Sequence, residues 1–256
     1  MVTLTINGKS VSVPQGTMLL KAVQEAGIDL PTLCHHDALS PYGACRLCMV
    51  TITAPHHAIV ASCVYPVEEG LAVETDTEPA IRARRLALEF LLSRCPESDV
   101  IRKMAEREGI TSSRFGVPSS EQRDELCVLC GLCVRVCRDV IGAAAISFIG
   151  RGTERKVGTP FELQSNSCIG CGACAEICPT EAIKIEDQGN KRILHTWNTT
   201  VELSACPECG RFFTPKPTLF LKDMFPEVEG YWDLCPTCKQ HKTSRQWLNA
   251  GSEEGL

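Results

Sequence analysis

Apolar and polar residues alternate at the start of the chain, as in a strand with one buried face. Leucine and isoleucine alternate with threonine before Asn7-Gly8, and valine alternates with serine after it. Asn-Gly is a preferred two-residue turn of β-hairpins. Residues 2–13 are therefore predicted to form a hairpin.

Three later segments show helical periodicity instead. They cover residues 18–26, 78–94 and 98–108, and Gly27 and Gly109 are expected to end the first and third. Charged residues usually lie on the solvated face of a helix. That face of the second helix is expected to carry Arg82, Arg84 and Arg85.

Shorter apolar runs predict strands in the second half of the chain. These runs are residues 145–149, 161–164 and 182–186, with a break expected at 187–192. Residues 111–120 are rich in serine, glycine and proline and are predicted to be a linker. The polar residues after His241 are expected to fray.

Charge and hydropathy exclude some functions. The 256-residue chain has a net charge of −5, which argues against non-specific binding to nucleic acid. Its first residues lack the features of a signal peptide, and no apolar run is long enough to span a membrane. We therefore expect a soluble, cytoplasmic protein with no nucleic-acid partner and no membrane span.

Cysteine spacing carries the chemistry. Of 17 cysteines, all but Cys95 fall into four groups of four. Four thiolates suit an iron–sulfur cluster or a structural zinc, whereas disulfides belong mainly to secreted chains. Cys95 is expected to be a small buried apolar residue. The groups are Cys34, Cys45, Cys48 and Cys63; Cys127, Cys130, Cys133 and Cys137; Cys168, Cys171, Cys174 and Cys178; and Cys206, Cys209, Cys235 and Cys238.

The first group has two close cysteines flanked by two distant ones, which suits a [2Fe–2S] cluster with two thiolates on each iron. The loop of residues 43–48 is expected to aim backbone N–H groups at the sulfides. A zinc site is the alternative. His35 and His36 adjoin Cys34 and are alternative ligands.

The second and third groups repeat the spacing C-x2-C-x2-C-x3-C of two-cluster ferredoxins, in which the fourth cysteine of each motif ligates the other cluster. Gly131, Gly170 and Gly172 are expected to let the chain wrap closely around the clusters. Arg138 follows Cys137 where the bacterial pattern has proline. The predicted ligand sets are Cys127, Cys130, Cys133 and Cys178 for one [4Fe–4S] cluster, and Cys137, Cys168, Cys171 and Cys174 for the other.

The fourth group consists of two C-P-x-C knuckles, which predict a zinc-ribbon-like tail with zinc bound by Cys206, Cys209, Cys235 and Cys238. A single iron, as in rubredoxin, and a further iron–sulfur cluster remain alternatives. The chain has no glycine-rich phosphate motif after a strand, so we find no obvious place for substrate chemistry. Whether it is itself an enzyme is left open.

Three stretches, residues 127–137, 146–152 and 168–180, together with the C-x10-C-x2-C start, resemble the N-terminal part of the large iron–sulfur subunit of respiratory complex I. The same module occurs in NAD-linked hydrogenases, formate dehydrogenases and electron-bifurcating transhydrogenases. Such members commonly carry a further cluster held by one histidine and three cysteines. Residues 64–126 contain only Cys95 and no histidine, so that cluster is expected to be absent.

The resemblance implies an electron-transfer subunit that accepts electrons from an FMN- and NADH-binding flavoprotein subunit. A thioredoxin-like [2Fe–2S] subunit is the second implied partner, and a hydrogenase, formate dehydrogenase, ferredoxin or NADP module is the implied acceptor. A free-standing polyferredoxin shuttle and an iron–sulfur redox sensor are the alternatives.

The predicted fold class is α+β with four parts. Residues 1–77 are predicted to form a β-grasp [2Fe–2S] ferredoxin domain, and 78–120 a short helical connector. Residues 121–190 are predicted to form a two-[4Fe–4S] bacterial ferredoxin domain, and 191–256 the zinc-ribbon-like tail. The expected cofactors are one [2Fe–2S] cluster, two [4Fe–4S] clusters and one zinc.

Overall fold

The structure is a computed structural model that describes residues 1–116, 126–216 and 233–253, with side chains up to residue 245. Within these ranges the chain is a mixture of helices and three sheets. Part of the expected linker at 111–120 lies outside the described residues. None of the described helices is long and apolar enough to cross a membrane.

The N-terminal sheet has five strands in the order β2-β1-β5-β3-β4. β1 pairs parallel with β5, and the other neighbours are antiparallel. The predicted hairpin is confirmed: Asn7 and Gly8 both have positive φ, as a type I′ turn requires. The strands are β1 Val2–Ile6, β2 Lys9–Val13, β3 Met49–Ala54, β4 Ala58–Ala61 and β5 Ala72–Glu74.

Helix α1, Leu19–Glu25, covers one face of this sheet. Its buried residues include Leu19 and Val23, as the periodicity predicts. Gly27 has a φ of 80° and ends the helix, and the Ile28 N–H donates to the Val23 carbonyl across the turn. A mixed sheet crossed by one helix agrees with the expected β-grasp arrangement.

Two helices connect this part to the next. They are α2, Glu78–Arg94, and α3, Asp99–Arg107. The solvated-face prediction holds for Arg82 and Arg85 but is wrong for Arg84, which is buried. Its Nη1 donates 2.8 Å hydrogen bonds to the carbonyls of Met49 and Thr75, so it fastens the helix to the sheet.

Short helices and strands form the second half. Helix α4, Leu132–Arg135, runs into a π-helical turn, Val136–Val140. The other elements are β6 Ser147–Ile149, β7 Lys156–Gly158, α5 Ala173–Glu176, β8 Ile185–Gln188, β9 Lys191–Leu194, β10 Thr199–Ala205 and β11 Phe212–Pro215.

Two strand predictions need correction. Residues 161–164 form no strand, because Pro160 starts a 3-10 turn that leaves Phe161 exposed; β7 is the partner of β6 instead. The strand expected at 182–186 begins at Ile185, and the whole of the expected break at 187–192 lies within the hairpin of β8 and β9.

The last four strands form one antiparallel sheet in the order β11-β10-β9-β8. This sheet continues across residues 190 and 191, where the sequence predicts a domain boundary; that boundary stays a prediction. The expected fraying after His241 is wrong for the described part of the tail. Helix α6, Pro236–Glu253, includes these residues, and Pro236 suits its first turn.

Candidate iron–sulfur and metal centres

The first cysteine group lies at one end of the five-stranded sheet. Cys34 and Cys45 belong to the loop between α1 and β3, and their Sγ atoms are 3.4 Å apart. Cys48 directly precedes β3, and Cys63 lies in the 3-10 turn after β4. Because β3 and β4 form a hairpin, they bring these two distant cysteines together.

The loop backbone is shaped for close approach to these sulfurs. The Cys45 N–H donates to Cys34 Sγ at 3.4 Å. The contacts predicted between N–H groups of this loop and the sulfides of a cluster stay a prediction. Gly43 has a φ of 68°, and a Cβ there would lie 3.1 Å from a Val64 methyl group. A larger residue would therefore be strained and crowded at this position.

The thiols of this group perturb one another strongly. Hydrogen bonds from Cys45 and then Cys63 lower the pKa of Cys34 to about 2. The hydrogen bond with Cys34 raises the pKa of Cys45, and those with Cys34 and Cys48 raise the pKa of Cys63, far above the ordinary range. Four thiolates this close together repel one another, so they need a cation between them. An iron–sulfur core would supply that positive charge.

Both neighbouring histidines have other contacts. His36 Nδ1 accepts a hydrogen bond from the Ala38 N–H, and His35 Nε2 lies 3.3 Å from an Asp37 carboxylate oxygen. His35 Nδ1 is buried and has no hydrogen-bond partner among the described residues.

The second and third groups surround two cavities, and each cavity takes three cysteines from one motif and one from the other. The larger cavity has a volume of about 300 Å³, and the smaller about 30 Å³. The cavity linings group the cysteines as the predicted ligand sets do, and the ligation itself stays a prediction. The larger is lined by Cys127, Cys130, Cys133 and Cys178, and the smaller by Cys137, Cys168, Cys171 and Cys174.

The local geometry of the repeated motif accounts for this grouping of cysteines. Gly131 and Gly172 adopt left-handed conformations, and a short helix begins directly after each of them. The third cysteine of each motif lies on that helix, and the fourth lies four residues later. Cys137 falls in the π-helical turn, a local widening that is frequent at functional sites.

Burial is the main cause of the raised pKa of several of these thiols. It raises the pKa of Cys130 to about 11, and nearby Cys178 contributes to the same shift. Burial also raises the pKa of Cys174 to about 11, although a hydrogen bond from Trp197 opposes it. Thiolates in such surroundings need a metal partner, so both cysteine sets fit the chemistry of an iron–sulfur core.

Trp197 is a site residue that the sequence does not reveal. It is buried and lines both cavities, and its Nε1–H donates to Cys174 Sγ at 3.5 Å. Hydrogen bonds to cluster sulfurs influence reduction potential. A buried tryptophan in a polar stretch is a weak signal in sequence, since nothing there shows which cysteine it contacts.

The fourth group is the most compact. Cys206 lies beside the start of α6, where the Cys235 N–H donates to Cys206 Sγ at 3.4 Å and lowers the pKa of Cys206 to about 6. The Cys209 and Cys235 sulfurs are 3.6 Å apart. The sulfurs that lie within 4.8 Å of one another are those of Cys206, Cys209, Cys235 and Cys238.

These distances indicate the size of the group that the fourth site could hold. Four thiolates at about 2.3 Å from one zinc would be roughly 3.8 Å apart in a tetrahedron. A cubic cluster would separate its ligand sulfurs further, because each binds a different iron. The site therefore fits a single metal ion.

Cys95 is buried among the residues that pack α2 against α3. Its burial agrees with the prediction of a small apolar residue.

The first two cysteine sites are neighbours. Leu33 and Leu47 from the first loop share an apolar cluster with Leu88 of α2 and with Val128 from the second motif. A cavity of about 230 Å³ between them is lined by both Cys45 and Cys130. The connector helices therefore support a contact between the two loops.

Arg135 strengthens this contact, and it is a second site residue without a sequence signal. It projects from α4 and donates hydrogen bonds to the carbonyls of Ser40 and Cys34, at 2.7 Å and 2.6 Å. Its guanidinium also lies 4.8 Å from the centre of the Tyr42 ring.

Comparisons with known families agree with the first and third sites. Residues 1–78 match a family described as "2Fe-2S iron-sulfur cluster binding domain", and residues 162–184 match one described as "4Fe-4S binding domain". The fold and its cysteine sites thus define an iron–sulfur protein with ferredoxin domains of both types.

Similar proteins make the assignment more specific. The chain is 33% identical over 210 residues to the NADP-reducing hydrogenase subunit HndD of Solidesulfovibrio fructosivorans, and the match covers 72% of this chain and 36% of that protein. It is 31% identical over 204 residues to the mitochondrial NADH-ubiquinone oxidoreductase 78 kDa subunit of Candida albicans, covering 71% of this chain and 28% of that protein. The chain thus spans about a third of the length of these relatives, or less.

The chain matches a larger share of one solved structure than of these relatives. The crystal structure of an NAD⁺-reducing [NiFe]-hydrogenase in the H₂-reduced state matches with 30% identity and a TM-score of 0.56. The match covers 62% of this chain and 74% of that one. The chain belongs to the family of iron–sulfur subunits found in NADH- and NADPH-linked oxidoreductases and hydrogenases, as the resemblance implied.

Proposed function

We propose that this chain is an electron-relay subunit of a multi-subunit, NAD(P)-linked oxidoreductase. It accepts electrons from an FMN- and NADH-binding flavoprotein subunit and passes them to a second redox site. The observation that carries the proposal is the contact between consecutive cysteine sites. The first loop packs on the second motif, and each cavity of the second and third motifs is lined by three cysteines of one motif and the fourth cysteine of the other.

The residues fit three iron–sulfur clusters. Cys34, Cys45, Cys48 and Cys63 would hold a [2Fe–2S] cluster. Cys127, Cys130, Cys133 and Cys178 would hold one [4Fe–4S] cluster, and Cys137, Cys168, Cys171 and Cys174 the other. When bound, such clusters supply one-electron redox chemistry. The protein's own part is to hold the thiolates, shield them and donate hydrogen bonds to sulfur.

We infer the order of the sites in the relay from the contacts between them. The proposed [2Fe–2S] site adjoins the proposed [4Fe–4S] site that includes Cys130, since Cys45 and Cys130 line the same cavity. Burial is the main cause of the raised pKa of Cys130, and Cys34 is close enough to add to that shift. Trp197 lies between the two [4Fe–4S] sites. We infer a path that runs from the N-terminal site through the Cys130 site to the Cys171 site.

The tail is proposed to hold one structural zinc through Cys206, Cys209, Cys235 and Cys238. Zinc has no redox couple, so this site would stabilise the tail without joining the relay. A thioredoxin-like [2Fe–2S] subunit is proposed as a further partner, and a hydrogenase, formate dehydrogenase, ferredoxin or NADP module as the electron acceptor. A cytoplasmic location stays a prediction, and whether the complex bifurcates electrons is left open.

Anaerobic purification of the tagged chain from its native source tests this function. We expect a flavin-containing subunit to co-purify. NADH should then reduce the clusters in that complex, as followed by EPR, but should not reduce them in the isolated chain. Recovery of the chain alone, with clusters that only a diffusible donor reduces, would favour the polyferredoxin shuttle and contradict the proposal.

A further inference from the structure

Arg135 is a buried cation between two cysteine sites. Only 6% of its surface is exposed, and it belongs to α4, two residues after Cys133 and two before Cys137. Its side chain extends away from α4 and donates hydrogen bonds to the carbonyls of Cys34 and Ser40, which lie in the loop between α1 and β3.

No carboxylate of the described residues lies close to the guanidinium. Among the described residues, no carboxylate oxygen is within ion-pair distance of it, and its Nε is buried without a hydrogen-bond partner. Asp139 is the nearest acid in sequence, but it is paired with Arg138 at 2.6 Å. Carbonyl oxygens and the Tyr42 ring are neutral partners, and burying a charge with neutral partners alone is costly.

A nearby anion would remove this cost. Four thiolates outweigh the positive charge of an iron–sulfur core, so an occupied cysteine site is negatively charged, and reduction adds to that charge. Cys34 is one of the four cysteines of the first site, and Arg135 donates to its carbonyl at 2.6 Å.

We propose that Arg135 is a positioning residue that couples the first two electron-transfer sites. Its two hydrogen bonds hold the Cys34 loop against α4. Its positive charge compensates the [2Fe–2S] site and favours the reduced state there. This inference rests on the proposed cofactors, but it does not depend on the identity of any partner.

The test compares Arg135→Met, which keeps length and loses charge, with Arg135→Lys, which keeps charge and loses the planar pair of donors. EPR-monitored redox titration of the isolated, cluster-loaded chain gives the midpoint potential of each cluster. We expect Arg135→Met to lower the [2Fe–2S] potential and leave that of the Cys171 cluster unchanged. Arg135→Lys should keep the [2Fe–2S] midpoint potential close to that of the wild-type chain.

The paired hydrogen bonds are tested separately, through the magnetic interaction between the reduced [2Fe–2S] cluster and its neighbour. Both variants should weaken this interaction if the hydrogen bonds hold the two sites together. Arg138→Met is the matched control, since Arg138 is exposed and paired with Asp139, and it should change neither quantity.

Unchanged potentials and unchanged magnetic interaction in both Arg135 variants would overturn the proposal. If Arg135→Met fails to load iron, Arg135→Lys still decides the role of the paired hydrogen bonds. Failure of the proposed relay function is a separate outcome. In that case the wild-type chain would bind no clusters, or its clusters would accept no electrons in the complex although the Arg135 variants still showed shifted midpoint potentials.

Discussion

Cys137 and Cys178 occupy the same place in two repeated motifs, and each lines the cavity of the other motif. We therefore expect Cys178→Ala to damage the cluster of the first motif. Its EPR spectrum should lose the same signal as Cys130→Ala, while Cys137→Ala should lose the signal that Cys171→Ala removes. Iron analysis checks how much of each cluster remains. A match of Cys178→Ala with Cys171→Ala would contradict the exchange of ligands.

Residue-scale prediction from sequence works best where spacing carries the information. The cysteine groups can be read from their intervals, because a metal core constrains several ligands at once. Arg84, Arg135 and Trp197 could not be placed in this way. Each acts through a contact distant in sequence, such as Arg135 with Cys34, and no local pattern shows that a charged or aromatic residue is buried by such a contact.

Among the structural elements, a very close contact joins the Cys168 loop to the last sheet. Gly170 has a φ of 67°, and a Cβ there would lie 2.3 Å from a methyl group of Val201 on β10. We expect Gly170→Ala to cost about 1–2 kcal/mol for the left-handed backbone, and about 1–3 kcal/mol more for the overlap. The second [4Fe–4S] site should then load less iron.

Gly189→Ala is the matched control for this effect. Gly189 also has a left-handed φ, of 58°, but a methyl group added there would have no atom of the described residues, other than its chain neighbours, within 4 Å. Thermal unfolding of both cluster-loaded variants separates overlap from backbone strain. Equal losses of melting temperature would show that Val201 does not restrict Gly170.

Elements with strong periodicity or turn chemistry are predictable, and short ones are less so. The N-terminal hairpin and the helices α1, α2 and α3 agree with the sequence pattern because each has a clear repeat or stop signal. The run at 161–164 is apolar enough for a strand, but Pro160 and the positive φ of Phe161 turn the chain instead. β7 has only three residues, too few to show an alternation.

For the whole molecule, the three proposed iron–sulfur sites adjoin one another in the order in which they occur along the chain. Cys45 and Cys130 line one cavity, and Trp197 lines both cavities of the second and third motifs. The connector helices do more than separate two domains, since they pack beneath both the Cys45 and Cys130 loops. The sequence predicts small metal-binding units, yet it does not predict this contact between them. Apolar residues from three distant segments form it, and periodicity within one segment cannot show which others it will meet.

The tail joins the rest of the molecule through the pairing of β9 with β8, while its four cysteines lie beyond that pairing. Cys235→Ser combined with Cys238→Ser should therefore remove the tail metal and leave the other sites intact. We expect about ten irons per wild-type chain, two from one [2Fe–2S] cluster and eight from two [4Fe–4S] clusters, and about one zinc.

Metal analysis of the wild-type chain and the double variant separates the alternatives for the tail. Loss of zinc with iron unchanged, and with EPR signals of all three clusters retained, is the expected result. Loss of about one iron would instead indicate a mononuclear iron site. A wild-type content near fourteen irons, falling to about ten in the variant, would mean that the tail holds another cubic cluster. Either of these outcomes would make the tail a further station of the relay, because iron can change its oxidation state where zinc cannot.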